Sequence, residues 1–150
     1  MPDLATHFII NHAAARSAWL KRYLLFFLWG SILPDVLSRA PSIANEFLGL
    51  AMGVFHTPVA ILLVCYLIAL QFKETQRAPV FYALALGSLL HCFADAFQRH
   101  LGEGYFWLFP FSWQTYSWGL FWPEDPIVAL PFLTAGWIIL LVIEHRKHAN

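Results

Sequence analysis

Charge is what this 150-residue sequence has least of: 12% of its residues are Asp, Glu, Lys or Arg, 59% are hydrophobic, and mean hydropathy is +0.60. Soluble domains carry roughly 25% charged residues, and a single domain of this size cannot hide so much apolar surface from water. The shortage therefore excludes an ordinary soluble domain and points to lipid. Nine basic and nine acidic residues cancel, so no net charge is available to drive nucleic-acid binding, and the high hydrophobicity excludes a disordered chain. Cysteine is nearly missing. Cys65 and Cys92 sit inside apolar runs without CxxC or Cys/His spacing, which indicates neither a zinc knuckle nor a disulfide framework and makes both packing residues. There is no GxGxxG and no P-loop. The amino-terminal MPDLATHF carries an acid and no basic run, so no cleaved signal peptide is expected. Length allows one domain, residues 1–150.

The apolar segments that are present set the architecture. A hydrocarbon core about 30 Å thick needs about 20 apolar residues as helix. Phe47–Phe72 and Pro126–Ile143 contain no Asp, Glu, Lys or Arg, and Ala78–Phe97 is long enough but carries His91 and Asp95 in its last two turns. Leu4–Leu20 and Tyr23–Pro34 are shorter or less apolar and read as a helical hairpin shielded by the others. The expected fold is all-α, an integral membrane helical bundle of about five helices. Basic residues cluster at Arg16, Lys21 and Arg22, at Lys73 and Arg77, and at Arg146 and Lys147, and five alternating segments put all three clusters on one side. The positive-inside rule makes that side cytoplasmic. The other side then holds Asp3, Asp35, Glu46, Asp95, Glu103, Glu124 and Asp125 against Arg39 and Arg99 alone.

From Tyr105 to Trp122, ten of eighteen residues are aromatic and none is charged. Tyr and Trp favour the headgroup region, where an apolar ring meets a polar tip. This stretch reads as a loop or short helix at the outer interface, either roofing the acidic side or anchoring the surface without touching a substrate.

Ionisable groups inside a bilayer are costly and mark functional sites by default. They are few: His56 in the second long segment, His91 and Asp95 in the third, Asp35 and Asp125 at segment ends, and His7 near the start. His91 and Asp95, four residues apart, lie about 40° apart around a helix and one turn along it, so both can reach one ion. The topology derived from Lys and Arg brings His56 to a similar depth. Imidazoles and carboxylates without thiols suit Zn²⁺, or else Mn²⁺, better than copper(I) or an iron–sulfur centre. Such an ion lowers the pKa of water from about 16 towards 7, which is hydrolytic chemistry. The bland alternative is a helix–helix polar clasp without metal. His12 reads as packing, and Thr57-Pro58 as a helix bend.

The order THxxx at Thr6-His7, GSILPD ending at Asp35, FHTP at His56, LLHCFAD spanning His91 and Asp95, then a Gly/aromatic loop ending in DP at Asp125-Pro126 resembles the YdjM-like family of inner-membrane metal-dependent hydrolases. That family is similar to zinc-dependent phospholipases C and single-strand nucleases. The resemblance implies a phospholipase C-like metal site at the outer end, with His7, Asp35, His56, His91 and Asp95 as metal ligands, Asp125 as a possible further ligand and Asp35 as general base or bridge. Two departures stand out: Leu37 occupies a place where relatives commonly carry a second acid, and Met52-Gly53-Val54-Phe55-His56 lacks the His-Arg pair they often show.

The expectation is a zinc-type hydrolase of a bacterial inner membrane that cleaves a phosphoester in a lipid or lipid-like substrate, with its site on the periplasmic side and no nucleic-acid partner. Alternatives from other classes are an ion- or proton-coupled carrier, a haem protein using His56 and His91, and a metal-binding structural membrane protein without turnover.

Overall fold

The computed structural model describes residues 4–44, 53–99, 105–122 and 125–149. The described residues form six α-helices and one 3-10 turn: α1 (Leu4–Ala14), α2 (Ala18–Arg22), α3 (Leu24–Ala44), the turn Gly53–His56, α4 (Pro58–Ala69), α5 (Glu74–Ala96) and α6 (Asp125–Ala149). Among them there is no strand, only two isolated bridges in the aromatic loop region. The all-α expectation holds, with six helices where about five were expected. The addition is α2, a short helix whose cap Ser17 accepts the Leu20 amide through its hydroxyl, 3.1 Å.

Two segments, Glu74–Ala96 and Asp125–Ile143, are long and apolar enough to cross a membrane, while Leu24–Ser38 and Pro58–Ala69 are shorter apolar helices. Half of the apolar window in α5 is buried inside the protein, but only 6% of that in α6 is. Such a helix, hydrophobic all round and covered by almost nothing, has its counterpart in lipid rather than water.

The expected span Phe47–Phe72 needs correction. Its first residues, Phe47–Met52, lie outside the described residues, Gly53–His56 is a 3-10 turn, and the α-helix begins only at Pro58. Thr57 is extended and Pro58 stands at the first helical position, where its missing N–H costs nothing. Thr57-Pro58 thus starts a helix instead of bending one, and His56 is held just ahead of it.

The centre of the fold is the pair α3 and α5. A Cβ at Gly30 would overlap the Leu84 carbonyl, and one at Gly87 would overlap the Phe27 carbonyl, so only glycine lets these backbones approach so closely. Pro34 lies inside α3 and has no N–H for the Gly30 carbonyl four residues back. Ser88 supplies the missing donor: its hydroxyl bonds Gly30 O at 2.9 Å. Phe26, near the start of α3, meets Phe72, just ahead of α5, while Asp35, further along α3, lies beside His91 near the end of α5, so α3 and α5 are parallel. Packed beside them, α4 brings Ile61, Cys65 and Ala69 against Val80 and Leu84 in an apolar core. Both cysteines are buried free thiols, as expected of packing residues.

α1 packs on α3 and α6. His7, near the start of α1, sits against Asp95, near the end of α5, so these two helices run in opposite senses. The starts of α1 and α4 and the end of α5 therefore share one end of the bundle. The connections that carry Arg16, Lys21, Arg22 and Lys73 fall at the opposite end.

Candidate metal centre

Four elements each bring ionisable side chains to the shared end: His7 from α1, Asp35 from the middle of α3, His56 from the 3-10 turn, and His91 and Asp95 from the last two turns of α5. All five are buried, none more than 2% exposed. His7 Nε2 is 3.2 Å from Asp95 Oδ1, and His91 Nε2 is 3.4 Å from Asp95 Oδ2. His56 Nε2 lies 3.3 Å from Asp35 Oδ1 and 3.7 Å from Asp95 Oδ2, and His91 Nε2 is 3.9 Å from Asp35 Oδ1. Two overlapping triads, His7/Asp35/His91 and His56/His91/Asp95, each have one donor atom per residue within 4.8 Å of the others.

The shorter of those separations compare with the edges of a tetrahedral coordination shell. Nitrogen and oxygen ligands placed 2.0–2.2 Å from Zn²⁺ at tetrahedral angles lie about 3.3–3.6 Å from one another. The donor set is also short of hydrogen: His7 Nδ1, His91 Nε2 and Asp95 Oδ1 are buried and make no hydrogen bond among the described residues. Two carboxylates face three imidazoles. The His7 and His91 rings stack with centroids 3.9 Å apart. Buried carboxylates, imidazoles and side-chain atoms without a hydrogen-bond partner together fit a divalent cation.

The neighbours orient these groups. The ring nitrogen His91 Nδ1 lies 2.7 Å from the Ser31 carbonyl; donating its proton there leaves Nε2 as the lone-pair nitrogen that faces both carboxylates, the usual outer-shell arrangement for a metal-ligating histidine. Tyr105, in the aromatic loop, donates its hydroxyl to Asp95 Oδ2 at 3.0 Å and stacks on His56, with centroids 4.9 Å apart and planes 5° from parallel. Burial, reinforced by the Asp95 carboxylate, pushes the Tyr105 phenol well above its ordinary range, so it stays a donor. The loop is tied to the end of α5 through Trp118 N to Ala96 O, Leu120 N to Phe97 O and Arg99 N to Phe121 O. It therefore borders the site, and Tyr105 reaches into it.

The structure brings together five of the six residues singled out in the sequence. Asp125 stands apart: it is exposed, its Oδ2 accepts the Trp122 amide at 2.7 Å, and it belongs to neither triad. A first-turn carboxylate that reaches back three residues in this way is capping its helix. His12, taken as packing, accepts a hydrogen bond from Trp137 Nε1 at 3.0 Å. Sequence reasoning missed Tyr105, Ser31 and Ser88. Ser88 precedes His91 by three residues, which was a usable signal; Ser31 acts through its backbone, which leaves none.

No curated protein matches this chain, and neither does any solved structure. A family model described as YdjM inner membrane protein matches residues 1–149, and the chain belongs to that family.

Proposed function

We propose that the protein is a membrane-embedded, metal-dependent hydrolase of phosphoesters in lipid or lipid-like molecules. The observation that carries this reading is the cluster of five buried His and Asp side chains, with contacts of 3.2–3.9 Å between imidazole nitrogens and carboxylate oxygens and two overlapping triads of donor atoms. His7, Asp35, His56, His91 and Asp95 would hold one or more divalent ions, with Zn²⁺ the best match to the donor chemistry and Mn²⁺ next. A divalent ion so held supplies Lewis acidity towards a phosphoryl oxygen and makes water a better nucleophile near neutral pH.

The chain's own groups have separable tasks. Asp35, with one carboxylate oxygen 3.3 Å from His56 and 3.9 Å from His91, would orient a water and accept its proton. Asp95 is the hub that links His7, His56 and His91, and Tyr105 holds its carboxylate in place. Only Tyr105 of these comes from the loop, so loop position and site geometry are coupled. The excess of Lys and Arg at the opposite end supports a periplasmic site by the positive-inside rule.

A carrier would need polar groups continuing to the other end of the bundle. The core there is Ile61, Cys65, Ala69, Val80 and Leu84, which disfavours that reading.

Metal analysis of the gently purified protein beside His91→Ala and Asp95→Ala tests the proposal. Stoichiometric divalent metal in the parent, lost in both variants, is expected, together with metal-dependent phosphate-ester cleavage in phosphatidylglycerol vesicles. Metal-free parent protein overturns the metal reading. Bound metal with no cleavage of any phosphoester overturns the hydrolase reading and leaves a structural metal protein.

A further inference from the structure

We infer that the aromatic loop Tyr105–Trp122 is a lid, closed in this structure and latched by Tyr105, whose first limb swings outward to admit a phosphoester to the centre. The inference rests on the proposed metal centre for what the lid admits and on separate observations for the lid itself.

The first observation is that the centre is sealed. His7, Asp35, His56, His91 and Asp95 are at most 2% exposed, and both ring nitrogens of His7 are buried. A phosphoester therefore has no path to these side chains while every wall stays in place. The described walls are α1, α3, α5, the 3-10 turn and the loop. Each of the first four supplies at least one of the five side chains, so withdrawing it would take part of the cluster away. The loop supplies none of the five. It covers His56 with the Tyr105 ring and Asp95 with the Tyr105 hydroxyl. Among the described walls it is the one that can withdraw and leave the cluster whole.

The second observation is how the loop is held. Its two limbs are joined where the Tyr116 amide donates to Tyr105 O at 3.2 Å. The second limb is fixed to the end of α5 by main-chain bonds from Trp118, Leu120 and Arg99, and the Arg99 Nε donates to Gly119 O at 2.7 Å. The first limb meets the bundle through side chains, Tyr105 at the centre and Trp107 on the apolar core. Its turn is bonded within itself, Phe109 N to Phe106 O and Phe111 N to Leu108 O, so it can move as a unit. Between the loop and α5 lies a cavity of about 290 Å³ with Phe93 and Ala96 on one wall and Trp107 and Leu108 on another. A protein interior is close-packed, and a void of this size under the loop means that few contacts are lost when it lifts. Phe111 and Trp113 at the tip are exposed, which leaves the outward path open. Opening would break the Tyr105 bond and stack and the Trp107 contact and keep the second limb as a hinge; closing would exclude bulk water from the centre.

Spin-label distances in the full-length protein, in phosphatidylglycerol–phosphatidylethanolamine vesicles, test this. Phe111→Cys with Leu86→Cys reports the first limb against α5, and Leu120→Cys with Leu86→Cys reports the hinge; all three positions are exposed, whereas the native cysteines are buried. Tyr105→Phe is expected to raise a longer-distance population of the first pair about tenfold and to leave the second pair unchanged. Trp107→Ala, which loosens the same limb and keeps Tyr105, is expected to do likewise and to quicken release of bound metal to EDTA. Unchanged distances for the first pair in both variants, or equal lengthening of both pairs, overturns the lid. Distances that change while EDTA release does not show a loop that moves without opening the centre, and overturn it too. Metal content reports separately on the centre: a moving first limb over metal-free protein overturns the centre and keeps the hinged loop, whereas bound metal under a fixed loop overturns the lid alone.

Discussion

At the scale of single residues, the candidate centre depends as much on its supporting groups as on its ligands. Tyr105 is the clearest case, because its ring and its hydroxyl touch different members of the cluster, His56 and Asp95. Tyr105→Phe keeps the stack and deletes the hydrogen bond. Outer-shell changes of this kind typically lower metal affinity 10–100-fold, so a chelator-competition titration is expected to show about a tenfold weaker site with little change in melting temperature. Unaltered affinity would remove Tyr105 from the centre. The five clustered residues themselves were legible in the sequence because ionisable residues are conspicuous in an apolar chain, and because His91 and Asp95 carry a helical spacing. Asp125 looked similar by those criteria, but its carboxylate is used to start α6. Composition does not distinguish a carboxylate that caps a helix from one that faces an ion. Tyr105 was hidden among ten aromatics of which nothing marked one as different.

At the scale of elements, α3 and α5 are matched through a proline and a serine. Ser88→Ala leaves the Gly30 carbonyl buried without the side-chain donor it now has, a loss of about 1–3 kcal/mol. Pro34→Ala restores an amide at position 34 that can close the helical bond to the same carbonyl. The double variant is therefore expected to be more stable than the two single losses added together, with a coupling on the order of 1 kcal/mol, measured by unfolding in detergent. Additive losses would show that the two residues do not share that oxygen. The same scale shows where sequence periodicity failed. Phe47–Phe72 carries no Asp, Glu, Lys or Arg, yet hydrophobicity cannot say where a helix starts, and Pro58 does: its ring is at home in the first turn and disfavoured in the interior. The chain before it is free to make the 3-10 turn that presents His56.

At the scale of the whole molecule, one end is rich in acids and imidazoles and the other in Lys and Arg, and this polarity predicts orientation. With single cysteines placed at Ser112 and at Glu74, a membrane-impermeant maleimide added to intact cells is expected to label the first and to reach the second only after permeabilisation. The reverse pattern would put the centre on the cytoplasmic side. The native Cys65 and Cys92 are buried and add little background. The architecture was legible in outline, since alternation of apolar runs with basic clusters gives the number and sense of the main segments; the close pairing of α3 with α5 was not, because it depends on Gly30 and Gly87 finding each other's backbones. Ser31 O lies four residues before Asp35 and is the carbonyl that an α-helix pairs with the Asp35 amide, and it also faces the His91 ring. One oxygen thus fixes a carboxylate on α3 and an imidazole on α5 together. A slip of either helix by a single turn would break both placements at once, so the clustered side chains come together only when these two helices are in the right alignment, and the cluster reports on the register of the whole bundle.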